Sequence, residues 1–217
     1  MNTAVVPVER RRVLERHVRW VVAATIVYNL IEAVVAISAG MVASSGALIA
    51  FGLDSTIELL SAAAVAWQFT RHDPERWEKG TLRVIAVAFF ALGGYVVVTS
   101  LLALIGGVDP AHSTLGIVIT AISVAVMPFL SYTERRAGRE LGSATAVADS
   151  KQTLICTYLS AAVLIGLVLN SLLGWWWADA IAGLVIAGFA IREGIEAWRG
   201  DACATSIGMI LEEDHPH

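Results

Sequence analysis

Charge is scarce in this chain. Only 16% of its 217 residues are Asp, Glu, Lys or Arg, while 57% are hydrophobic. A soluble domain of this length carries about a quarter charged residues and shorter apolar runs. With a mean hydropathy of +0.69, the chain reads as an integral membrane protein. Cysteine is nearly absent as well. Cys156 and Cys203 fit neither a metal-finger spacing nor a disulfide framework. Low-complexity segments and internal repeats are lacking. No nucleophile stands near a base in a pattern that suggests catalysis, so an enzyme is not expected, and neither is a cofactor. The net charge of -4 is segregated to ends and loops, and no nucleic-acid partner is expected. The start, "MNTAVVPVERRRVLERHVRW", does not resemble a cleaved signal peptide, because its charges come late and no small-residue cleavage site follows the first apolar run.

What is present is a series of long apolar runs. A helix needs about 20 apolar residues to cross a bilayer. Six runs qualify: Trp20–Ala39, Met41–Phe69, Val84–Gly106, Leu115–Tyr132, a fifth that starts within Ser143–Thr153 and ends near Leu173, and Trp175–Ile191. The expected fold is therefore an all-α membrane protein with six transmembrane helices. Residues 1–19 form an N-terminal segment, 20–199 the membrane domain, and 200–217 a tail expected to be too short to fold alone.

Basic residues alternate sides. Arg10, Arg11, Arg12, Arg16 and Arg19 precede the first run. Arg71, Arg76, Lys79 and Arg83 lie between the second and third, Arg135, Arg136 and Arg139 between the fourth and fifth, and Arg192 and Arg199 after the sixth. The connections near Gly40, at "GGVDPAHS" and at "LLGWWW" hold no Lys or Arg. The positive-inside rule then predicts that both termini are cytoplasmic, in a multi-pass protein of the cell membrane. The three uncharged connections are short, which predicts hairpins between runs 1–2, 3–4 and 5–6. Trp175, Trp176 and Trp177 suit an interfacial aromatic belt.

Ionisable groups at membrane depth cost about 2.5–3.5 kcal/mol each on insertion scales, so each needs a reason. Asp54 and Glu58, in "GLDSTIE", are four residues apart on one helix face. Two carboxylates so close repel unless a cation or protons intervene. A divalent cation resolves that conflict; hydrogen bonding that glues helices together is the plainer alternative. Gln152 and Cys156 repeat the spacing at the start of the fifth run. Alone they read as a small apolar residue and an interfacial amide. Beside the carboxylates, a thiolate and an amide oxygen complete a four-donor set suited to zinc, cobalt or cadmium. Glu32, about 12 residues into the first run, is a ligand, an acid behind the ligands or a proton carrier, with Asn29 one turn away as a possible partner. Asp149 reads as a charge at the cytoplasmic end, Asp179 as one at the outer edge of the sixth run, and Asp109 and His112 as solvated turn residues. His72, His215 and His217 read as exposed.

These segments resemble a known family. "SGALIAFGLDSTIELLSA" is similar to the second-helix motif of the cation diffusion facilitators, through Ser45, Ala47, Leu48, Asp54 and Ser55. Glu58 stands where the second acid is expected, and Phe51 replaces an Asp three residues before the first ligand. "ADSKQTLICTYLSAAVLIG" resembles the fifth-helix motif through Ala148, Asp149, Ser160 and Val163 to Gly166, with Gln152 at the usual His and Cys156 at the usual Asp. Asp179 falls where the last helix of the family carries Asp-Pro. The resemblance covers all six runs and lacks the family's cytoplasmic dimerisation domain. It implies an exporter of divalent metal, zinc foremost, that exchanges the ion for protons and works as a homodimer held through membrane helices. The implied metal residues are Asp54, Glu58, Gln152 and Cys156, with Glu32 as a further carboxylate. The alternatives are a proton-coupled exporter of organic cations, for which Tyr28 and Phe51 supply a thin aromatic lining, and a non-transporting membrane scaffold with a decayed site.

Overall fold

The computed structural model describes residues 8–69, 74–106, 109–141 and 144–199. They form six helices: α1 Val8–Ala43, α2 Gly46–Phe69, α3 Pro74–Gly106, α4 Thr114–Leu141, α5 Ala144–Leu173 and α6 Trp176–Arg199. No strand occurs among the described residues. Within them, Ala23–Ala43, Leu82–Gly106, Thr114–Ala137 and Thr153–Leu173 are long and apolar enough to cross a membrane. Helix α2 carries Asp54 and Glu58 near its middle, and α6 is free of charge only from Ala180 to Ile191. The N-terminal residues 1–7 and the tail from residue 200, with Cys203, His215 and His217, lie outside the described residues, as does His72.

The pattern of burial is that of a membrane bundle. Large aliphatic and aromatic side chains point outward: Leu30, Val34, Leu102, Ile105 and Phe129 are exposed. Small residues and the acids Glu32, Asp54 and Asp179 point inward. Where lipid replaces water, apolar side chains lose nothing by facing out, and helix contacts rely on small residues that let backbones approach. Helix α1 packs on α2 and α4, α4 on α5, and α3 on α6. Helix α2 is central, touching α1, α3, α5 and α6. Its Ala47, Leu48, Ala50 and Phe51 are buried.

Two of the three expected hairpins form, α1 with α2 and α5 with α6, whereas α3 and α4 are joined by a short connection but pack on other helices, α3 on α6 and α4 on α5. The first turn falls later than the sequence suggests. Helix α1 continues past Gly40 to Ala43, and the chain reverses at Ser44 and Ser45. Ser44 adopts φ 54°. Ser45 then caps α2, its hydroxyl oxygen accepting the Leu48 amide at 3.1 Å. Gly40 is a packing glycine instead of a turn residue. A Cβ there would lie 2.7 Å from Ile49 Cγ1 and 2.8 Å from the Ile49 nitrogen.

Gly52, just before Asp54 in α2, likewise lets two backbones meet. A Cβ on it would lie 2.7 Å from Ile37 Cγ1, 2.9 Å from the Ile37 nitrogen and 3.1 Å from the Ala33 carbonyl. Backbone atoms cannot swing away as a side-chain tip can. Gly52→Ala is therefore expected to push α1 from α2 and cost about 1–3 kcal/mol. Thermal unfolding in detergent checks this; an unchanged midpoint would contradict the close backbone contact.

The three short connections, α1–α2, α3–α4 and α5–α6, meet at one end of the bundle. The Ala111 amide donates to the Ala43 carbonyl at 2.8 Å, and Asn170 Nδ2 donates to the Pro110 carbonyl at 2.7 Å. Asp179 in the first turn of α6 is buried there and does more than mark an edge. Its carboxylate accepts the Ser45 hydroxyl at 2.5 Å and the Ala47 amide at 3.3 Å. One acid thus caps the start of a neighbouring helix, where backbone N–H groups are otherwise unpaired, and fastens α6 to α2. His112 is exposed, as expected of a turn residue, and bonds Ser171 and Thr114.

Candidate metal centre

Eight residues into α2 from Gly46, the helix presents Asp54, and one turn further Glu58. Both lie on the side facing α5. Cys156 comes from α5, three residues after the start of its apolar stretch at Thr153. One donor atom from each of Asp54, Glu58 and Cys156 falls within 4.8 Å of the others. Asp54 and Cys156 are buried, and Glu58 is half-buried. A bound zinc ion sits about 2.0–2.2 Å from carboxylate oxygen and about 2.3 Å from sulfur. Small side-chain rotations would bring the three donors onto one such ion.

Hydrogen bonds organise the three. The Cys156 thiol donates to Glu58 Oε1 at 2.7 Å. The other oxygen, Glu58 Oε2, accepts from Asn29 Nδ2 of α1 at 2.9 Å. Glu58 therefore links α1, α2 and α5. Ser160, one turn after Cys156, donates to the Cys156 carbonyl at 2.7 Å and leaves the thiol to the acids. Among the described residues Cys156 forms no disulfide.

Glu32 lies apart from these donors. It is fully buried, and Ser55 Oγ donates to its Oε2 at 2.7 Å. Ser123 of α4 donates to its other oxygen, and Tyr28 OH bonds Ser123 at 2.7 Å. Its carboxylate is thus occupied by hydroxyls of α2 and α4, and it is not among the three donors that converge. Gln152 lies in helix α5, one turn before Cys156, and its side chain lies outside the described residues, as does that of Asp149.

Two residues near the centre have partners that the sequence does not reveal. Asn29 looks like a partner of Glu32, one turn away, yet it reaches Glu58. Glu193, beyond the apolar stretch of α6, lies within electrostatic reach of Asp54. Burial, reinforced by the like charge of Glu196, raises the Glu193 carboxyl above its ordinary value, with Arg192 pulling the other way. A polar residue in an apolar span is the signal that marks Asn29; which helix it addresses depends on packing.

In chemical terms, two carboxylates and a thiol make an anionic, partly soft donor set. Such a set prefers divalent ions of intermediate softness over magnesium or calcium. Its members come from two helices, so a change in their spacing changes the site.

Parts of this sequence are similar to known proteins. A cation-efflux pump, FieF, of Shewanella oneidensis is 36% identical over 76 residues, covering 35% of this chain and 25% of the relative. Metal tolerance protein 2 of rice, Oryza sativa subsp. japonica, is 32% identical over 89 residues, covering 41% of this chain and 23% of the relative. The matched stretch thus spans about a quarter of the length of each relative. The cation efflux transmembrane domain family matches residues 22–199, from the first apolar span to the end of α6. That range takes in both helices that carry the acid and thiol donors, and the chain belongs to the cation efflux family.

Proposed function

We propose that the protein exports a divalent transition metal, of the zinc, cobalt or cadmium type, in exchange for protons. The convergence of Asp54, Glu58 and Cys156 from α2 and α5 within 4.8 Å carries the reading. In this scheme both termini are cytoplasmic, the protein resides in the cell membrane, and two copies associate through their membrane helices. The metal reaches the acids from the cytoplasm, past Glu193. It binds between α2 and α5, and rocking of the helices opens the site to the other side. The names of the relatives, a cation-efflux pump and a metal tolerance protein, support this direction of transport.

Proton exchange follows from the donors. A thiol and carboxylates bind metal in their deprotonated forms, so binding expels whatever protons they hold, and acid opposes binding. Metal affinity is expected to rise with pH, by about tenfold per unit for each proton displaced. Zinc titration of the purified protein in two buffers of different ionisation enthalpy measures both affinity and proton release. Affinity independent of pH, with no proton released, would contradict the exchange. Failure to bind any of these metals, in folded protein, would favour an organic-cation exporter or a scaffold.

A further inference from the structure

Among the described residues three donors converge, one fewer than the four that zinc and its like commonly take, and the side chain of Gln152 lies outside the described residues. Asn29 offers a fourth. Asn29 is 7% exposed, at the level of Asp54. Its Nδ2 donates to Glu58 Oε2 at 2.9 Å. That bond fixes which end of the amide is which, because a carboxylate accepts and only the NH2 end donates. The other end, Oδ1, is buried without a hydrogen-bond partner, the sole such side-chain atom among the described residues. A buried carbonyl oxygen with nothing to accept is costly and uncommon. The N and O of one amide are roughly 2.3 Å apart by covalent geometry, so Oδ1 lies within about 5 Å of Glu58 Oε2. It borders the same acids and lacks a positive partner.

We propose that Asn29 Oδ1 is the fourth donor of the metal centre, which makes the centre a junction of α1, α2 and α5. This rests on the reading of Asp54, Glu58 and Cys156 as a metal site. The substrate it implies is a divalent ion held by three oxygens and one sulfur. A neutral amide oxygen satisfies such an ion without adding charge to a site that already holds two carboxylates and a thiol. Helix α1 then contributes directly to binding, and the ion draws three helices together.

Cobalt(II) is the probe, because its ligand-field absorption reports coordination number and its charge-transfer band reports a bound thiolate. Purified wild-type protein in detergent, with the tail cysteine changed by Cys203→Ser, is titrated beside Asn29→Ala, Asn29→Asp and Gln152→Ala in the same background. The proposal expects a thiolate band in all four. It expects Asn29→Ala to weaken cobalt binding by at least about tenfold and to alter the ligand-field bands. Asn29→Asp, which keeps an oxygen at that place, is expected to restore binding and the wild-type bands. Asn29→Asp also keeps the proposal open to refutation if Asn29→Ala does not fold. Binding weakened by Asn29→Asp as much as by Asn29→Ala would overturn it, and reduce Asn29 to a holder of the Glu58 carboxylate. So would an unchanged Asn29→Ala, or a loss confined to Gln152→Ala. A parallel Cys156→Ser protein distinguishes failure of the centre from failure of its fourth donor. If the thiolate band is absent from wild type, or survives in Cys156→Ser, the reading of the centre itself fails, whatever Asn29 does.

Discussion

Asp54→Asn is expected to abolish metal transport while leaving the protein as stable as before, or more so. The two effects have one cause. An acid near the middle of a membrane helix costs about 2.5–3.5 kcal/mol on insertion scales. Asp54 is buried beside Glu58 and within reach of Glu193 and Glu32, all of the same sign. Without an ion, that arrangement is repulsive unless protons intervene. Asparagine has the same shape and needs neither ion nor proton to be neutral, so the empty protein loses nothing. With an ion, the balance reverses, because the amide is a far weaker donor than a carboxylate. Loss of a partner behind a metal ligand already weakens binding about 10–100-fold, and loss of the ligand itself should exceed that. Uptake by proteoliposomes, read beside thermal unfolding, checks both halves. If Asp54 only glued helices, Asp54→Asn would lower the melting temperature and spare transport.

Cys156→Asp is expected to keep transport but change the ion. The thiolate is the soft member of the set, and soft donors favour cadmium and zinc over manganese. A carboxylate at the same place makes the site all oxygen. The ratio of cadmium to manganese uptake should fall by about ten- to a hundredfold. Cys156 is buried, and its thiol donates to Glu58 Oε1 at 2.7 Å. An aspartate there brings a third negative charge, so the protein without metal should be less stable. Added manganese should then raise its melting temperature more than it raises that of the wild type, since a ligand stabilises the state that binds it. Competition between the two metals during uptake gives the ratio in one experiment. An unchanged ratio would take Cys156 out of the site.

Local patterns explain which features of this site a reader can find without a structure. Asp54 and Glu58 stand four apart in an apolar run, and helix geometry alone puts them on one face. Cys156 joins them because its run carries the other half of a motif. Helix number follows from apolar length, and so do the α1–α2 and α5–α6 hairpins; that α3 packs on α6 instead of α4 depends on tertiary packing. The remaining features are contacts between distant segments. Asn29 and Glu32 are one turn apart on α1, and nothing local says that one addresses Glu58 and the other Ser55 and Ser123. Asp179 is separated from Ser45 by most of the chain, so its capping of α2 is invisible until the helices are packed. Gly40 looks like a turn and is a packing surface, because glycine serves both uses and only the neighbour, Ile49, decides between them.

The central claim is that one ion is held by oxygen from α2 and sulfur from α5. X-ray absorption at the zinc edge, on purified protein carrying Cys203→Ser and loaded with one zinc ion, tests it most directly. The expected shell has one sulfur neighbour at about 2.3 Å and oxygen neighbours at about 2.0–2.2 Å. The sulfur should disappear in Cys156→Ser, and zinc should no longer be retained in Asp54→Asn. A shell without sulfur in the parent protein, or a zinc site unaffected by both substitutions, would contradict it.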